Sequence, residues 1–236
     1  MKRIKKGIQQ SIPEAKVKGI AASGVDVARL MVRRDGATVK IEPNFILRGT
    51  VFSPIEMELC QTAQREFELF TTALVVSHAD LYGGKLCAAL DRQHPRDLFD
   101  VKLLLETEGL SDSVRKAFVV YLASHNRPMH ELLSPNFLDL RSAYEGEFMG
   151  MVDNVSPLQE LEAVRKDLVR RIQQSLTDKE RAFLLSVKRG NPDWNALDVS
   201  GIERLPGIQW KLANIQRMSK SKQKEHQAKL EKVLNI

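Results

Sequence analysis

The chain has 236 residues, a length that allows one large domain or two small ones. Its 43% hydrophobic and 28% charged residues are typical of a globular protein and exclude a disordered chain. The net charge of +6 suits a polyanionic partner such as RNA, although many proteins without such a partner carry as much.

The sequence gives no sign of a membrane or secreted protein. It contains no run of about eighteen apolar residues, so no membrane partner is expected. The basic residues 1–6 are not followed by the apolar segment of a secretory signal. Cys60 and Cys87 lack the spacing of a zinc site and are too few for a disulfide framework. We therefore expect a cytoplasmic protein.

Strand patterns dominate the first 76 residues. Residues 25–33 and 38–41 both alternate, and the Asp35-Gly36 pair between them predicts a β-hairpin. Two further strand candidates follow at residues 45–52 and 74–76.

From Ser77 onward the apolar spacing becomes helical. Ser77 and Asp80 predict the start of a helix that reaches about residue 92, and Pro95 separates it from a second helix that ends at Gly109. Further helices are predicted over residues 111–123, 136–149, 156–176, 177–190 and 206–234. We expect an α+β fold with a sheet domain over residues 1–76 and a helical domain over residues 77–236.

Several single residues carry structural expectations. Asn136 and Ser156 are each predicted to cap a helix, and Thr177 with Glu180 predicts a capping box. His94 is expected to be a solvated loop residue. The two tryptophans, Trp194 and Trp210, are expected to anchor packing of the C-terminal helices.

The first candidate site residues lie on the helix that follows Ser77. Lys85 and Arg92 are seven residues apart, so both side chains emerge on one helix face. Ala88 and Ala89 between them leave room for a ligand beside the helix. Gly83-Gly84 indicates either close approach of a ligand or close packing against another helix. The pattern alone does not decide between these two interpretations.

The second group begins directly after Pro95. Asp97 and Asp100 are three residues apart and share a face at the first turn of a helix, and Arg96 is placed to pair with Asp100. Carboxylates beside cations are what phosphoryl transfer needs, because cations hold phosphates and carboxylates hold Mg²⁺. Acidic residues are also common in a first helical turn for structural reasons, and the spacing leaves both interpretations open.

Two motifs in this order resemble those of one known family. The run Lys85-x-x-Ala88-x-x-x-Arg92-x-x-x-Arg96-Asp97-Leu98-x-Asp100 is similar to the K-x-x-A-x-x-x-R-x-x-x-R-D-x-x-D motif of the AbiEii/AbiGii toxins. The segment over residues 39–44 (VKIEPN), followed by Leu47-Arg48-Gly49, resembles the strand motif of the same family. The resemblance is close over residues 30–105 and looser beyond.

The resemblance implies a nucleotidyltransferase-type sheet followed by a helical bundle. It also implies an NTP substrate, such as GTP, with Mg²⁺, an RNA or protein acceptor such as tRNA, and a cognate antitoxin as partner. Lys85 would meet the triphosphate, and Asp97 or Asp100 would be the essential aspartate of the helical motif. The further residues implied are nucleotide-binding Arg92, Arg96 and Lys40, and Glu42 as the metal-binding strand carboxylate. Glu42 has an equal alternative as an exposed residue of an edge strand.

The sequence departs from the family pattern in one respect. The family opens with Gly-Gly or Gly-Ser and, about ten residues later, Asp-x-Asp on a strand, whose carboxylates bind the catalytic metals. The nearest candidate, Ser23-Gly24-Val25-Asp26, has no second aspartate at the required position. We therefore expect an N-terminally truncated and inactive chain, whose strand at residues 25–33 has lost its partner and forms an exposed edge.

Two functions remain open at this point. The first is a nucleotidyltransferase-like toxin of a toxin–antitoxin or phage-abortive system. The alternative is a non-catalytic helical binding module that contacts an antitoxin or RNA. This module would make its contact through the C-terminal segment over residues 211–236, which contains seven Lys and Arg residues but only two Glu residues. The same segment is equally compatible with an ordinary solvated helix face.

Overall fold

The computed structural model describes residues 1–22, 25–42 and 48–236. The chain divides into two compact units, Met1–Leu47 and Arg48–Ile236. Helices and small antiparallel sheets are both present, which confirms the predicted α+β class. No described helix combines the length and the apolar character that crossing a membrane requires.

The first unit contains one helix and one three-stranded sheet. Its elements are α1 (Lys2–Ser11), β1 (Lys16–Ala22), β2 (Val25–Arg34) and β3 (Ala37–Ile41). The predicted hairpin of β2 and β3 is confirmed, with Arg34 paired to Ala37 across the turn. Asp35 and Gly36 have φ angles of 48° and 81°, the left-handed conformation that a tight two-residue hairpin turn requires.

The prediction that residues 25–33 form an exposed edge was wrong. The described strands of this sheet run in the order β1-β2-β3, so β2 is the central strand. Its missing partner is β1, which the sequence analysis did not predict and in which Lys16 pairs with Arg33 and Lys18 with Met31. The central position agrees with the complete burial of Leu30 on β2.

The strand predicted over residues 45–52 is not found where the structure describes it. Residues 43–47 lie outside the described residues, and residues 48–52 are not a strand. The physical reason is that the backbone N–H groups of Val51 and Phe52 donate to the carboxylate of Asp80, at 2.7 and 3.0 Å. Donors engaged by a side chain are not free to form a β ladder.

A second hairpin follows within the larger unit. It consists of β4 (Ile55–Glu58), the short helix α2 (Gln61–Phe67) and β5 (Thr72–Val75), with Ile55 paired to Val75. β5 matches the strand predicted at residues 74–76, whereas β4 and α2 were not predicted. This hairpin belongs to the second compact unit, although the sequence analysis grouped it with the sheet. The predicted boundary between functional domains at residues 76 and 77 stays a prediction.

The rest of the second unit is helical. Its helices are α3 (His78–Arg92), α4 (Pro95–Thr107), α5 (Asp112–Ala123), α6 (Met129–Leu133), α7 (Arg141–Ala143, continued by a π-helical turn over Tyr144–Phe148), α8 (Leu158–Ser175), α9 (Asp178–Arg189), α10 (Pro206–Gln216) and α11 (Lys220–Leu234). The core lies around α3 and α5, where Leu86, Leu90 and Phe118 are fully buried. Burial of these side chains fixes which face of α3 remains open to solvent.

The helix predicted to begin at Asn136 begins later, at Arg141. Residues 136–138 are held outside a helix by long-range hydrogen bonds from two buried side chains. The Gln93 amide donates to the Asn136 carbonyl at 2.8 Å and accepts from the Leu138 N–H at 3.1 Å. Arg165 donates to the Leu138 carbonyl at 2.7 Å. The local cap signal was therefore overridden by tertiary contacts.

Two other predicted roles were wrong. His94 is the N-cap of α4, where its Nδ1 accepts from the Arg96 N–H at 3.1 Å. Ser156 caps no helix, because α8 begins at Leu158 after Pro157 and the Ser156 hydroxyl accepts instead from Lys102 at 3.0 Å. The capping box of Thr177 and Glu180 at the start of α9 is confirmed.

Candidate functional site

The two glycines of α3 have different surroundings. A Cβ on Gly83 would lie 2.8 Å from both the Ala117 Cβ and the Phe118 backbone nitrogen, so this glycine allows α3 to pack closely on α5. A Cβ on Gly84 would meet nothing within 4 Å. Gly83 therefore serves the close packing of α3 on α5, as one of the two interpretations of the glycine pair predicted. Gly84 leaves the outer face of α3 bare, that is, without a side chain at this position.

This difference predicts opposite effects of the same substitution at adjacent positions. Gly84→Ala is expected to stabilise the protein by up to about 1 kcal/mol, because alanine is the better helix former and has space. Gly83→Ala is expected to destabilise it by about 1 kcal/mol net, because overpacking against the α5 backbone outweighs the same gain. Urea unfolding of both variants checks this, and equal shifts of either sign would contradict it.

An open cleft runs along the bare face of α3. Its volume is about 290 Å³, and it is lined by Arg48, Gly84, Cys87, Ala88, Asp91, Arg92, Tyr121 and His125. Ala88 lies at the cleft as the sequence analysis expected, whereas Ala89 is fully buried in the core and leaves no room for a ligand. Among the described residues, the Arg48 side chain has no ion-pair partner.

Lys85 is paired with a carboxylate of the neighbouring helix. Its Nζ donates to Oδ2 of Asp100 on α4, and both side chains are about one-third exposed. The predicted pair of Asp100 and Arg96 was wrong, because Arg96 is exposed and makes no ion pair among the described residues. Lys85 and Asp100 thus face each other across the α3–α4 junction.

Arg92 and Asp97 form a second ion pair across the same junction. The guanidinium donates two hydrogen bonds to the two Asp97 oxygens, the Nη2 bond being 2.6 Å long. The Asp97 side chain is 5% exposed and that of Arg92 53%, so the carboxylate is buried and the cation closes it from outside. The hydrogen bond to Asp97 raises the pKa of Arg92. Four of the five charged motif residues therefore form two ion pairs across the α3–α4 junction.

Lys40 and Glu42 lie in the first unit. Glu42 accepts from Lys40 at 2.7 Å and from Arg29 at 3.1 Å, so it bridges two cations of neighbouring strands. The hydrogen bond from Lys40 lowers the pKa of Glu42, and the carboxylate remains exposed. The roles implied for these two residues, nucleotide binding and metal binding, stay predictions.

A buried carboxylate positions the chain that borders the cleft. Asp80 accepts from the Val51 and Phe52 N–H groups, from the Ser77 hydroxyl at 2.7 Å and from the Tyr121 hydroxyl at 2.5 Å. It thereby ties residues 51 and 52 to α3 and α5. Arg48 stands three residues earlier, and its carbonyl accepts from the Gly207 N–H at 3.2 Å.

His125 forms the far wall of the cleft and is held neutral. Its Nδ1 accepts from the Arg127 N–H at 3.2 Å, and its Nε2 lies 3.7 Å from Asp91 Oδ2. The pKa of His125 is lowered to about 4, mainly by burial. Asp91 opposes this decrease, and the nearby charges of Arg48, Lys211 and Arg127 contribute to it. Because Nδ1 accepts the hydrogen bond from the Arg127 N–H, the proton of the neutral ring lies on Nε2, which acts as a donor.

The lowered pKa of His125 predicts acid sensitivity. Between pH 6.5 and about 4 the unfolded chain binds a proton at this histidine that the folded chain does not. The stability contributed by the neutral ring is therefore fully present above pH 6.5 and is lost as the pH falls toward 4. We expect His125→Gln to show a shallower loss over this range in denaturant titrations. An unchanged pH slope would contradict the assignment.

The described carboxylates do not form a magnesium site. Within residues 1–22, 25–42 and 48–236, no three His, Cys, Asp or Glu side chains are grouped so as to hold a metal ion. Asp97 and Asp100 are each already paired with a cation, and no carboxylate shares a metal-binding position with either. The described donors thus do not fit Mg²⁺.

Sequence reasoning found the α3–α4 motif but missed most of the cleft. Arg48 was noted only within a resembling motif, and His125 and Asp91 were not candidates. Helical spacing could have identified Asp91 as a cleft residue, because it lies seven residues after Gly84 and therefore on the same face of α3. Arg48 and His125 reach the cleft from elsewhere in the chain, and the sequence contains no signal that joins them.

The comparisons with known proteins gave one match. The family model described as "Nucleotidyl transferase AbiEii toxin, Type IV TA system" matches residues 2–214, which is most of the chain. No curated protein and no solved structure matches the chain.

Proposed function

The chain belongs to the AbiEii nucleotidyl transferase toxin family, and we propose that it acts as the nucleotide-binding toxin component of a type IV toxin–antitoxin system. A single observation supports the nucleotide-binding part of this proposal. The helix that bears the family motif has a bare outer face at Gly84, and a cleft follows that face.

The cleft offers groups suited to a nucleotide. Arg48 supplies a cation without an ion-pair partner among the described residues, and Arg92 contributes one edge of its guanidinium. Phosphate groups favour such arginine contacts, since the guanidinium presents several donors in one plane. Lys85 and exposed Arg96 on the adjoining surface would extend the contact to a triphosphate such as GTP.

The family implies transfer of a nucleotide from an NTP to an acceptor with a divalent metal, and we propose an RNA or protein acceptor. The 236 residues contain no Asp-x-Asp tripeptide. In two-metal transfer such a pair of carboxylates holds the metals that stabilise the transferring phosphoryl group. We therefore propose that residues 1–236 bind nucleotide but do not catalyse transfer on their own.

A substitution that fills the cleft tests nucleotide binding. Gly84→Gln is expected to weaken GTP binding at least tenfold in calorimetric titrations, because the side chain would occupy the bare face of α3. Gly7→Gln is the matched control, since Gly7 is also a helix glycine with nothing within 4 Å of an added Cβ. Equal GTP affinity of the two variants would remove the cleft as the binding site.

A second comparison tests the motif lysine. Lys85→Ala is expected to weaken GTP binding, whereas Lys102→Ala is expected to leave it unchanged. Both lysines form an ion pair between helices, Lys85 with Asp100 and Lys102 with Glu160 at 3.1 Å, so both substitutions remove a similar structural contact. A GTP affinity that is insensitive to Lys85→Ala would contradict the role proposed for this lysine.

The transfer step has its own test. Incubation of the chain with labelled NTPs, Mg²⁺ and total tRNA or protein is expected to label no acceptor. Incorporation that disappears in Lys85→Ala would show that the chain is active and would refute the proposed inactivity.

The family also implies an antitoxin partner. We propose that the pair acts in the cytoplasm, where NTPs and acceptor are available.

A further inference from the structure

A second cavity lies among the C-terminal helices, apart from the α3 cleft. Its volume is about 350 Å³, and its walls come from α9, α10, α11 and the segment before α6. Three lysines line it: Lys188 on α9, Lys211 on α10 and Lys222 on α11. Among the described residues none of the three forms an ion pair, although many other cations in the protein do.

Lys188 is the most unusual of the three. The residue is 4% exposed, and the part that stays accessible at the cavity includes its ammonium group. This group has no hydrogen-bond or ion-pair partner among the described residues. Burial lowers the pKa of Lys188, and the charge of Lys222 also lowers it. A largely buried lysine without a protein partner, whose ammonium group opens to a cavity, is placed to bind an anion there.

Lys211 adds a second buried ammonium group at the same cavity. It is 7% exposed and donates to the carbonyls of His125 and Arg127, at 2.5 and 3.0 Å. An ammonium group has three donors, so one remains for a ligand. The pKa of Lys211 is lowered to about 8, mainly by burial, with contributions from the charges of Lys188 and Arg48 and an opposing effect of Glu131. Glu131 itself is paired with Arg127 at 3.1 Å.

The other walls suit an aromatic ring with polar edges. Trp210 lines the cavity and is 51% exposed, so the expectation that it anchors helix packing was wrong. Ile215 and Met218 supply apolar surface, and Asn126 and Asn214 supply amide groups. The Nδ1 atom of His226, another lining residue, is buried without a hydrogen-bond partner. A nucleobase stacks on exposed aromatic side chains of this kind.

We propose that this cavity binds the phosphate group of a nucleotide unit, with Lys188, Lys211 and Lys222 around the phosphate and Trp210 beside the base. The size agrees, since pockets for small ligands begin at about 300 Å³. The site shares no lining residue with the α3 cleft and uses none of the motif residues.

The test measures binding of two probes, GMP and a 5′-phosphorylated RNA hexamer, by calorimetry in phosphate-free buffer. Both are titrated into the Gly84→Gln protein, in which the α3 cleft is filled, so that failure of the cleft proposal does not affect the result. Added substitutions Lys188→Met and Lys222→Met are each expected to weaken binding at least tenfold. Lys229→Met is the control, because Lys229 is exposed and paired with Glu225 on the same helix at 2.7 Å.

A second readout separates binding from structure. Lys188→Met is expected to raise the melting temperature without ligand, because it removes a charge from a largely buried side chain that has no partner. It is also expected to abolish the increase in melting temperature that the probe causes in the parent protein. Equal affinity for both probes supports a free nucleotide as ligand. A hexamer that binds at least tenfold more tightly, with a salt dependence reduced by Lys222→Met, supports an RNA strand. Unchanged affinity in both lysine variants, or no binding of either probe, overturns the proposal.

Discussion

Asp80→Ala is expected to destabilise the second unit by roughly 3–5 kcal/mol, the largest single effect predicted for this protein. The carboxylate is 3% exposed and accepts hydrogen bonds from two backbone N–H groups and two hydroxyls. Alanine would leave these donors without a partner, and the N–H of Val51 is buried. Most of the expected loss of stability comes from donors that are shielded from water and no longer have an acceptor.

Guanidinium unfolding of Asp80→Ala measures this effect, with Asp100→Ala as the matched control. Asp100 is also a helix carboxylate, but it is about one-third exposed and has a single partner, so its loss is expected to be under about 1 kcal/mol. Tyr121→Phe removes only one of the four donors and is expected to lose about 1 kcal/mol. Similar losses for Asp80→Ala and Asp100→Ala would contradict the central role of Asp80.

Arg92→Ala is expected to have the second-largest effect, a loss of roughly 2–3 kcal/mol. It leaves the buried carboxylate of Asp97 without the two hydrogen bonds that it now accepts. The loss remains below the value for a fully buried pair, because half of the Arg92 side chain is exposed and water can approach. The position of Asp97 in the first turn of α4 also retains some stabilisation from the helix dipole.

The pair predicts an asymmetry that a surface ion pair would not show. Asp97→Ala removes the buried charge and leaves an exposed arginine, so its loss is expected to be about 1 kcal/mol, clearly smaller than that of Arg92→Ala. Denaturant titration of the two single variants and the double variant checks this. Equal losses in both single variants would show that Asp97 is not effectively buried.

These expectations bear on what the family motif does. Lys85, Arg92, Asp97 and Asp100 hold α3 against α4 as two ion pairs, so part of their effect on nucleotide binding will be structural. Gly84→Gln avoids this problem, because Gly84 packs against nothing. If Gly84→Gln loses nucleotide binding but keeps its stability, the loss of binding is due to the filled cleft and not to the ion pairs beside it.

Features that depend on neighbouring residues could be predicted from the sequence. The Asp35-Gly36 hairpin needs only a turn with positive φ angles, and the starts of α3 and α9 need only a side chain that caps nearby N–H groups. The α+β class followed from the change of period at Ser77. The motif on α3 and α4 identified the family, because its residues are close in the chain.

Features that depend on distant residues were decided by the tertiary structure. Residues 136–138 are kept out of a helix by hydrogen bonds from Gln93 and Arg165, which lie far from them in the chain. Asp80 was predicted only as a carboxylate at the start of a helix, and packing showed that it also binds the N–H groups of residues 51 and 52. The importance of Lys188 likewise comes from packing, because packing buries most of its side chain and brings its ammonium group to a cavity without a protein partner. The sequence by itself determined the family and the helix with its motif, whereas the cleft and the lysine cavity exist only once that packing is formed.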